Sequence, residues 1–387
     1  MTTRRDFVGG ALAFGVAAGC KTVDGAVGGG ELLAAEERPT SRYAVSILGD
    51  THYDAEPESV YHSHYDETNK WAKIQHQEFV RNGEMWRTRC PQLLAASAAL
   101  AHRQATRFVL QLGDIIQGDC DDVPTHKKML DDCIRLLRAP YPERLPFLTV
   151  IGNHDFRGKG ARSAYFEFAE PFMAQEIGRL TGGEPRSAVK YPAFAFRFGP
   201  DLWVFCDFEM KGLDPISNLI EADPAARHVF LVTHGPFTTF AACGSFRWRL
   251  GGRKECEATR PRLYEVLSRR HAIVLSGHTH TTNFYRHVNR YGGFTVFTAN
   301  SVWAKPELAT AEPIHGKPDD YAADARRHTG GKLEDCRREV AFFRPGIAEY
   351  FYNNGAGHYR LDVSDDAVTM AFYPGAAREP ARTFNLA

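Results

Sequence analysis

Apolar runs recur along this chain, and several stop abruptly at a short polar turn. Arg42 to Leu48 alternates and ends in Gly49-Asp50-Thr51-His52. Arg107 to Leu112 repeats the pattern and ends in Gly113-Asp114, and Pro146 to Ile151 ends in Gly152-Asn153-His154-Asp155. Farther on, His228 to Thr233 runs into His234, and Ala272 to Ser276 into Gly277-His278-Thr279-His280. Short apolar runs bounded by turn residues predict buried strands. Helical spacing lies between them over Cys90 to Ala105, over Thr125 to Arg138 with Thr125 as N-cap, and over Thr259 to Arg270. Ala193 to Phe198 and Leu202 to Phe208 predict a hairpin turning at Gly199-Pro200-Asp201, and Thr295 to Trp303 a further strand holding Asn300-Ser301. Tyr359 to Val363 and Val368 to Tyr373 predict a closing hairpin. Strands alternating with helices predict an α/β fold. Two stretches, 53–88 and 156–190, read as insertions, the first as a long polar and aromatic loop, and 304–350 follows no clear period.

The first forty residues stand apart. Arg4-Arg5 precede Asp6-Phe7-Val8, and a short apolar run then reaches Ala17-Ala18-Gly19-Cys20. That run is too short to span a bilayer, and Gly9, Gly10, Gly15 and Gly19 would weaken a helix by about 1 kcal/mol each. Residues 1–20 resemble a bacterial twin-arginine signal ending in a lipoprotein box, which implies export and lipidation at Cys20. Residues 21–40 suit a flexible linker. No later stretch carries a core of its own, so 41–387 is expected to be a single domain, with membrane contact only through the lipid. Acidic and basic side chains balance at 47 each, which gives no global attraction to nucleic acid, and no protein partner is expected. Of eight cysteines none shows CxxC spacing; Cys120/Cys133 and Cys243/Cys256 are near enough for disulfides, and buried thiols are the other reading.

The polar strand ends carry the candidate chemistry. On an extended segment, residues two apart point to one side, so Asp50 with His52, and His278 with His280, can each reach one ion. Carboxylate, imidazole and amide oxygen without thiolate suit Mn, Fe, Zn or Ni. Taken in order, Asp50-x-His52, Gly113-Asp114, Gly152-Asn153-His154-Asp155, His234 and Gly277-His278-x-His280 resemble the five motifs of the calcineurin-like metallophosphoesterase superfamily. The resemblance covers roughly residues 43–303 and implies a four-layer α/β/β/α sandwich with two divalent metal ions. One ion would be held by Asp50, His52, Asp114 and His280. The other would be held by Asp114, Asn153, His234 and His278, with Asp114 bridging. Two ions about 3.5–4 Å apart stabilise both the attacking and the leaving oxygen of an in-line displacement. The expected reaction is hydrolysis of a small-molecule phosphate ester by a metal-bridging hydroxide, with His154 assisting the leaving group.

Departures from relatives narrow the substrate. The segment Gly113-Asp114-Ile115-Ile116-Gln117-Gly118-Asp119 lacks the second Asp and the Arg of the G-D-x-V-D-R-G pattern in Ser/Thr protein phosphatases. Gln117 stands where purple acid phosphatases carry Tyr, and His52 where they carry no His. The pattern is nearer the small-molecule phosphodiesterase branch; the alternatives are a phosphomonoesterase, such as a nucleotidase or sugar phosphatase, and a non-catalytic metal-binding surface lipoprotein. Asp119 and Asp155 are the candidate orienters of His154. Arg247, Arg249 and Arg253, followed by Lys254, are candidates to meet the substrate's phosphate. Tyr53, Trp71 and Trp86 could stack on a ring or pack the first insertion down, and His62-Ser63-His64 is a weaker candidate for an extra metal site.

Overall fold

Every residue of Tyr43–Leu48 is buried because this run forms β1, a strand flanked on both edges and covered on both faces. The structure, a computed structural model, describes residues 41–63, 72–103, 105–183, 189–237, 250, 254–302, 314–316, 341–353 and 355–387. After β1 come the short α1 (Glu58–Tyr61), α2 (Ala72–Thr88), α3 (Cys90–Arg103) and β2 (Thr106–Gln111). Next are α4 (Val123–Arg138), β3 (Phe147–Thr149), α5 (Ala161–Thr181), β4 (Ala193–Phe198), β5 (Asp201–Cys206) and α6 (Asp214–Glu221). Then follow β6 (Val229–Val232), α7 (Arg260–Arg269), β7 (Ile273–Ser276), β8 (Thr282–Asn289) and β9 (Gly292–Thr298). The chain closes with β10 (Ile314–Gly316), β11 (Ile347–Asn353), β12 (Gly357–Val363), β13 (Val368–Pro374) and β14 (Arg382–Asn385).

These strands make two sheets, ordered β14-β13-β12-β1-β2-β3 and β10-β11-β8-β9-β7-β6-β5-β4. Alternation along each strand sorts side chains into layers. Phe108 and Leu110 of β2 meet Phe230 and Val232 of β6 and Ile273 and Leu275 of β7 between the sheets. Val109 turns the other way, toward Leu93 and Leu94 of α3 and Met129, Leu130 and Leu137 of α4. Leu231 and Val274 likewise face Ile216 and Ile220 of α6 and Leu263 and Leu267 of α7. The expected α/β/β/α sandwich is therefore the fold. Strands β1, β2 and β3 run parallel, as do β5, β6, β7 and β9, so their carboxyl ends gather the polar turns.

Several local expectations need correction. Helix α4 begins at Val123, and its cap is Asp122, whose Oδ1 accepts the Thr125 N–H at 2.8 Å. Pro124 fits the first turn because that turn's N–H groups have no helical partner. The region 53–88 is not a loop throughout: α2 occupies its second half, burying Phe79, Asn82, Gly83 and Trp86 along one face. Polar Asn82 and Gly83 in that buried face hide its period. The 156–190 insertion holds α5, whose buried Glu176 accepts the Phe147 N–H at 2.9 Å and pairs with Arg138 and Arg179. Strand β9 stops at Thr298, so Asn300 and Ser301 follow it, while β8, β11 and β14 have no counterpart in the sequence pattern. Cys120 and Cys133 are separate buried thiols, as are Cys90 and Cys206. Residues 1–40 with Cys20, and also His64, Trp71, Cys243, Arg247, Arg249 and Arg253, lie outside the described residues, as does the side chain of Lys254.

Three buried histidines set an expectation for acid stability. Burial holds His126 at a pKa of about 4, His287 at about 3 and His358 at about 4. A folded-state pKa below the unfolded value of about 6.5 means that the neutral ring is favoured in the fold. The resulting stability is present above pH 6.5 and is lost as pH falls toward 3–4, at about 1.4 kcal/mol per group for each pH unit. His287 stacks on Phe294 with ring centroids 4.3 Å apart, so His287→Phe keeps the stacked contact and removes the titration. Its melting temperature should fall less between pH 7 and pH 5 than that of the wild type; an identical fall would rule out this ring as a source of acid lability.

Candidate metal centre

Asp50 and His52 leave the end of β1, Asp114 that of β2, Asn153 that of β3, His234 that of β6, and His278 and His280 that of β7. The structure brings all seven together. Donor atoms of Asp50, His52, Asp114 and His280 lie within 4.8 Å of one another, and so do those of Asp114, His234 and His278. Asp50 Oδ2 is 3.0 Å from His280 Nε2, which is itself 3.0 Å from His52 Nε2. On the other side, His234 Nε2 lies 3.1 Å from Asp114 Oδ2 and 3.2 Å from Asn153 Oδ1. Ligands about 2.0–2.1 Å from one ion stand roughly 3 Å apart when at right angles, so these spacings fit a first-row divalent ion. Asp114 belongs to both groups: its Oδ2 is buried, accepts no hydrogen bond, and faces His234 and, at 3.7 Å, His52. An ionised oxygen left so in a protein interior calls for a cation.

Electrostatics agree. Burial works against charge on Asp114, yet His234 and His154 hold its carboxyl well below the usual range. Burial likewise disfavours a proton on His234, but Asp114 and Asp50 outweigh it and raise that imidazole to about 9. The negative potential that draws a proton to His234 would draw a dication. His278 goes the other way, lowered to about 3 by burial and by the neighbouring His234.

The turns are held in costly shapes. His52, Asp114, His278 and His280 have φ of 40°, 49°, 72° and 51°, the left-handed region that costs non-glycine residues about 1–3 kcal/mol each. A Cβ on Gly152 would sit 2.1 Å from Asp114 Oδ1, and one on Gly277 would sit 2.2 Å from Asp50 Oδ1. Only glycine leaves room there for the carboxylates. Orientation comes from the ring nitrogens turned away from the cluster. His234 Nδ1 meets the Leu112 carbonyl at 2.8 Å, and His52 Nδ1 meets Gln117 Oε1 at 3.2 Å. Each contact directs the other nitrogen, Nε2, inward. Trp86 packs down on the first motif, its Nε1 donating to the Thr51 and His52 carbonyls at 2.9 and 3.0 Å.

His154 belongs to neither group of donors. Its Nδ1 meets the Gln117 carbonyl at 3.0 Å, and that backbone oxygen is its orienter. The expected carboxylates are used elsewhere. Asp155 accepts the N–H groups of Ile115, Ile116 and Gly152, locking the second and third turns together. Asp119 pairs with Arg157 Nε at 2.8 Å. Buried beside His52 and Arg157, the His154 imidazole is held well below its ordinary pKa and is neutral at rest. His62 pairs with Asp54 at 3.3 Å and stacks on Phe79 at 3.8 Å, so the described half of the His62-Ser63-His64 pair serves packing.

The sequence assigns no role to Glu78 or Asn82, marks Gln117 only as a departure from the purple acid phosphatase pattern, and places Arg157 only as a basic residue after the third motif. Asn82 donates to Gln117 Oε1, and Gln117 Nε2 donates to Glu78 Oε2 at 3.2 Å. The signal was faint: only Glu78 and Asn82 at helical spacing in a region read as loop.

Two sheets with metal-capable turns at one edge fit the class of metal-dependent phosphoester hydrolases. The model of the calcineurin-like phosphoesterase family matches residues 44–282, and the chain belongs to that family. No curated protein matches the chain. Among solved structures, a dimetal phosphatase from Danio rerio is similar at 14% identity, over 89% of this chain and 99% of that one, with a TM-score of 0.49. Purple acid phosphatase PPD1 from yellow lupin seeds shares 10% identity over 89% of this chain, with a TM-score of 0.48. The alignment spans only about half, 53%, of the lupin chain. PhoD shares 10% identity over 89% of this chain and 70% of its own, with a TM-score of 0.47.

Proposed function

We propose that this chain hydrolyses a small-molecule phosphodiester at a dinuclear metal centre. Asp50, His52, Asp114 and His280 would hold one ion and Asp114, Asn153, His234 and His278 the other. The observation that carries this reading is the buried Asp114 Oδ2, which accepts no hydrogen bond and faces both groups of donors. When bound, such ions act as Lewis acids on the phosphoryl group and lower the pKa of water to near neutrality. The chain's own residues do the rest. Asn153 contributes a neutral oxygen, Gln117 and the Leu112 carbonyl hold two imidazoles in place, and His154 stands outside the ligand set, where it can serve the leaving oxygen. The cation beside the cluster, Arg157, is compensated by Asp119 and Glu78. Among the described residues the site therefore adds little positive charge beyond its metals, which suits a monoanionic diester better than a dianionic monoester. Export and lipid anchoring at Cys20 belong to the same proposal and rest on residues 1–20 alone.

The test compares an aryl phosphodiester with the matching monoester, using the purified protein loaded with Mn. The diester should be cleaved at least tenfold faster in kcat/KM, a chelator should abolish turnover, and added Mn should restore it. Faster monoester cleavage would replace the diester reading with a phosphomonoesterase. Full metal occupancy with turnover of neither ester would leave the non-catalytic binding protein.

A further inference from the structure

We propose that Arg157 is a phosphoryl-oxygen ligand of this site, held in readiness by Glu78 and Asp119; this rests on the reading of the site as a phosphoesterase. A guanidinium next to side chains that gather two dications is repelled by those ions and needs carboxylates to hold it there. Arg157 is nevertheless fixed at that position. Its Nε pairs with Asp119 Oδ2 at 2.8 Å, and its Nη1 donates to Glu78 Oε2 at 3.1 Å. The same Nη1 lies 3.0 Å from His154 Nδ1 and 2.9 Å from Nε2. Nη2 has no hydrogen-bond partner among the described residues. The side chain keeps about a quarter of its surface, 26%, open to solvent.

Geometry turns these contacts into a role. At 3.0 and 2.9 Å from the two ring nitrogens, Nη1 lies over the imidazole face, so the in-plane lone pair of Nε2 points past the guanidinium. A phosphoryl group whose ester oxygen hydrogen-bonds that lone pair settles beside the guanidinium, with another of its oxygens within reach of Arg157. The unpartnered Nη2 supplies donors for it, and planar guanidinium geometry suits two adjacent phosphate oxygens. Glu78 comes from α2, the helix inside the first insertion, and also receives Gln117 Nε2, which bears on His52. Glu78 is thus a positioning residue joining the insertion to both histidines. The competing use of Arg157, a tie between α2 and the turn at Asp119, predicts a change in melting temperature with no change in anion affinity.

The experiment titrates inorganic phosphate calorimetrically into the full-length, Mn-loaded protein, alongside steady-state cleavage of the aryl phosphodiester. It uses wild type, Arg157→Met, Arg157→Lys and Glu78→Gln. Arg157→Met should weaken phosphate binding about tenfold or more and lower kcat/KM about 100-fold, with metal content unchanged. Arg157→Lys, which keeps the charge and guards against loss of folding, should recover part of the phosphate affinity. Glu78→Gln should raise KM more than it lowers kcat. Phosphate affinity within twofold of wild type in Arg157→Met overturns the proposal, as does a metal-loaded wild type that binds no phosphate. A wild type that binds phosphate but cleaves neither ester sinks the enzymatic reading alone, since the phosphate comparison still reports on Arg157.

Discussion

Asp114→Asn is expected to lower kcat at least about 10³-fold and to reduce bound metal from two ions to one or none. The carboxylate has two separate duties. Oδ1 accepts the His154 N–H at 2.7 Å, and Oδ2 faces both groups of donors without a hydrogen bond. An amide cannot meet both. With its oxygen toward His154, the NH2 group points at the ions and repels them; flipped, it sets donor against donor at the His154 N–H. Either way the charge that both donor groups share is gone, and with it the several kcal/mol of transition-state stabilisation that a proposed pair of ions would supply. The fold should survive, because Asn tolerates the left-handed φ of 49° found at this position. Without metal, the variant should melt lower than the wild type near neutral pH, since the carboxylate that pairs with the charged His234 ring is gone. Metal analysis, kcat and melting temperature together decide the matter. A variant that keeps two ions and a tenth of the activity would remove Asp114 from the bridging position.

The five strand ends were legible because each signal is local. A buried strand reads as an apolar run, and the turn after it must satisfy polar atoms, so Asp50, Asp114, Asn153, His234 and His278 appear where a run stops. Their meeting at one edge follows from parallel strands, which present all their carboxyl ends on the same side. What the sequence concealed depends on contacts between distant segments. Gln117 reads as one more polar loop residue until His52 and Asn82 are placed around it. Helix α2 escaped notice because two of its buried positions, Asn82 and Gly83, break the apolar period, and Asn82 is buried for the sake of Gln117 rather than for packing. The orienter of His154 is a backbone carbonyl, a group every residue carries and no motif can mark. Strand β8 was missed for another reason. Its buried residues include Thr282, Asn283 and His287, polar groups on both covered faces that interrupt the apolar run of a buried strand.

His154→Gln is expected to leave both ions in place while lowering kcat by about 10²–10⁴-fold on an ester with an alkyl leaving group. The first part follows from position, since His154 belongs to neither set of donors. The second follows from the ring's two contacts. The Gln117 carbonyl can only accept, so Nδ1 carries the hydrogen and Nε2 holds the in-plane lone pair, while Arg157 Nη1 lies over the ring. Burial, with His52 and Arg157 nearby, keeps this ring neutral at rest, so it gains a proton only when an anion in the site stabilises the charged form. An alkoxide leaves poorly without that proton, whereas a nitrophenolate leaves well as the bare anion. The loss in His154→Gln should therefore be large for the alkyl ester and below about tenfold for the nitrophenyl ester. Equal losses on both would show that His154 places the substrate rather than protonating its leaving group, and the proton would then have to come from solvent.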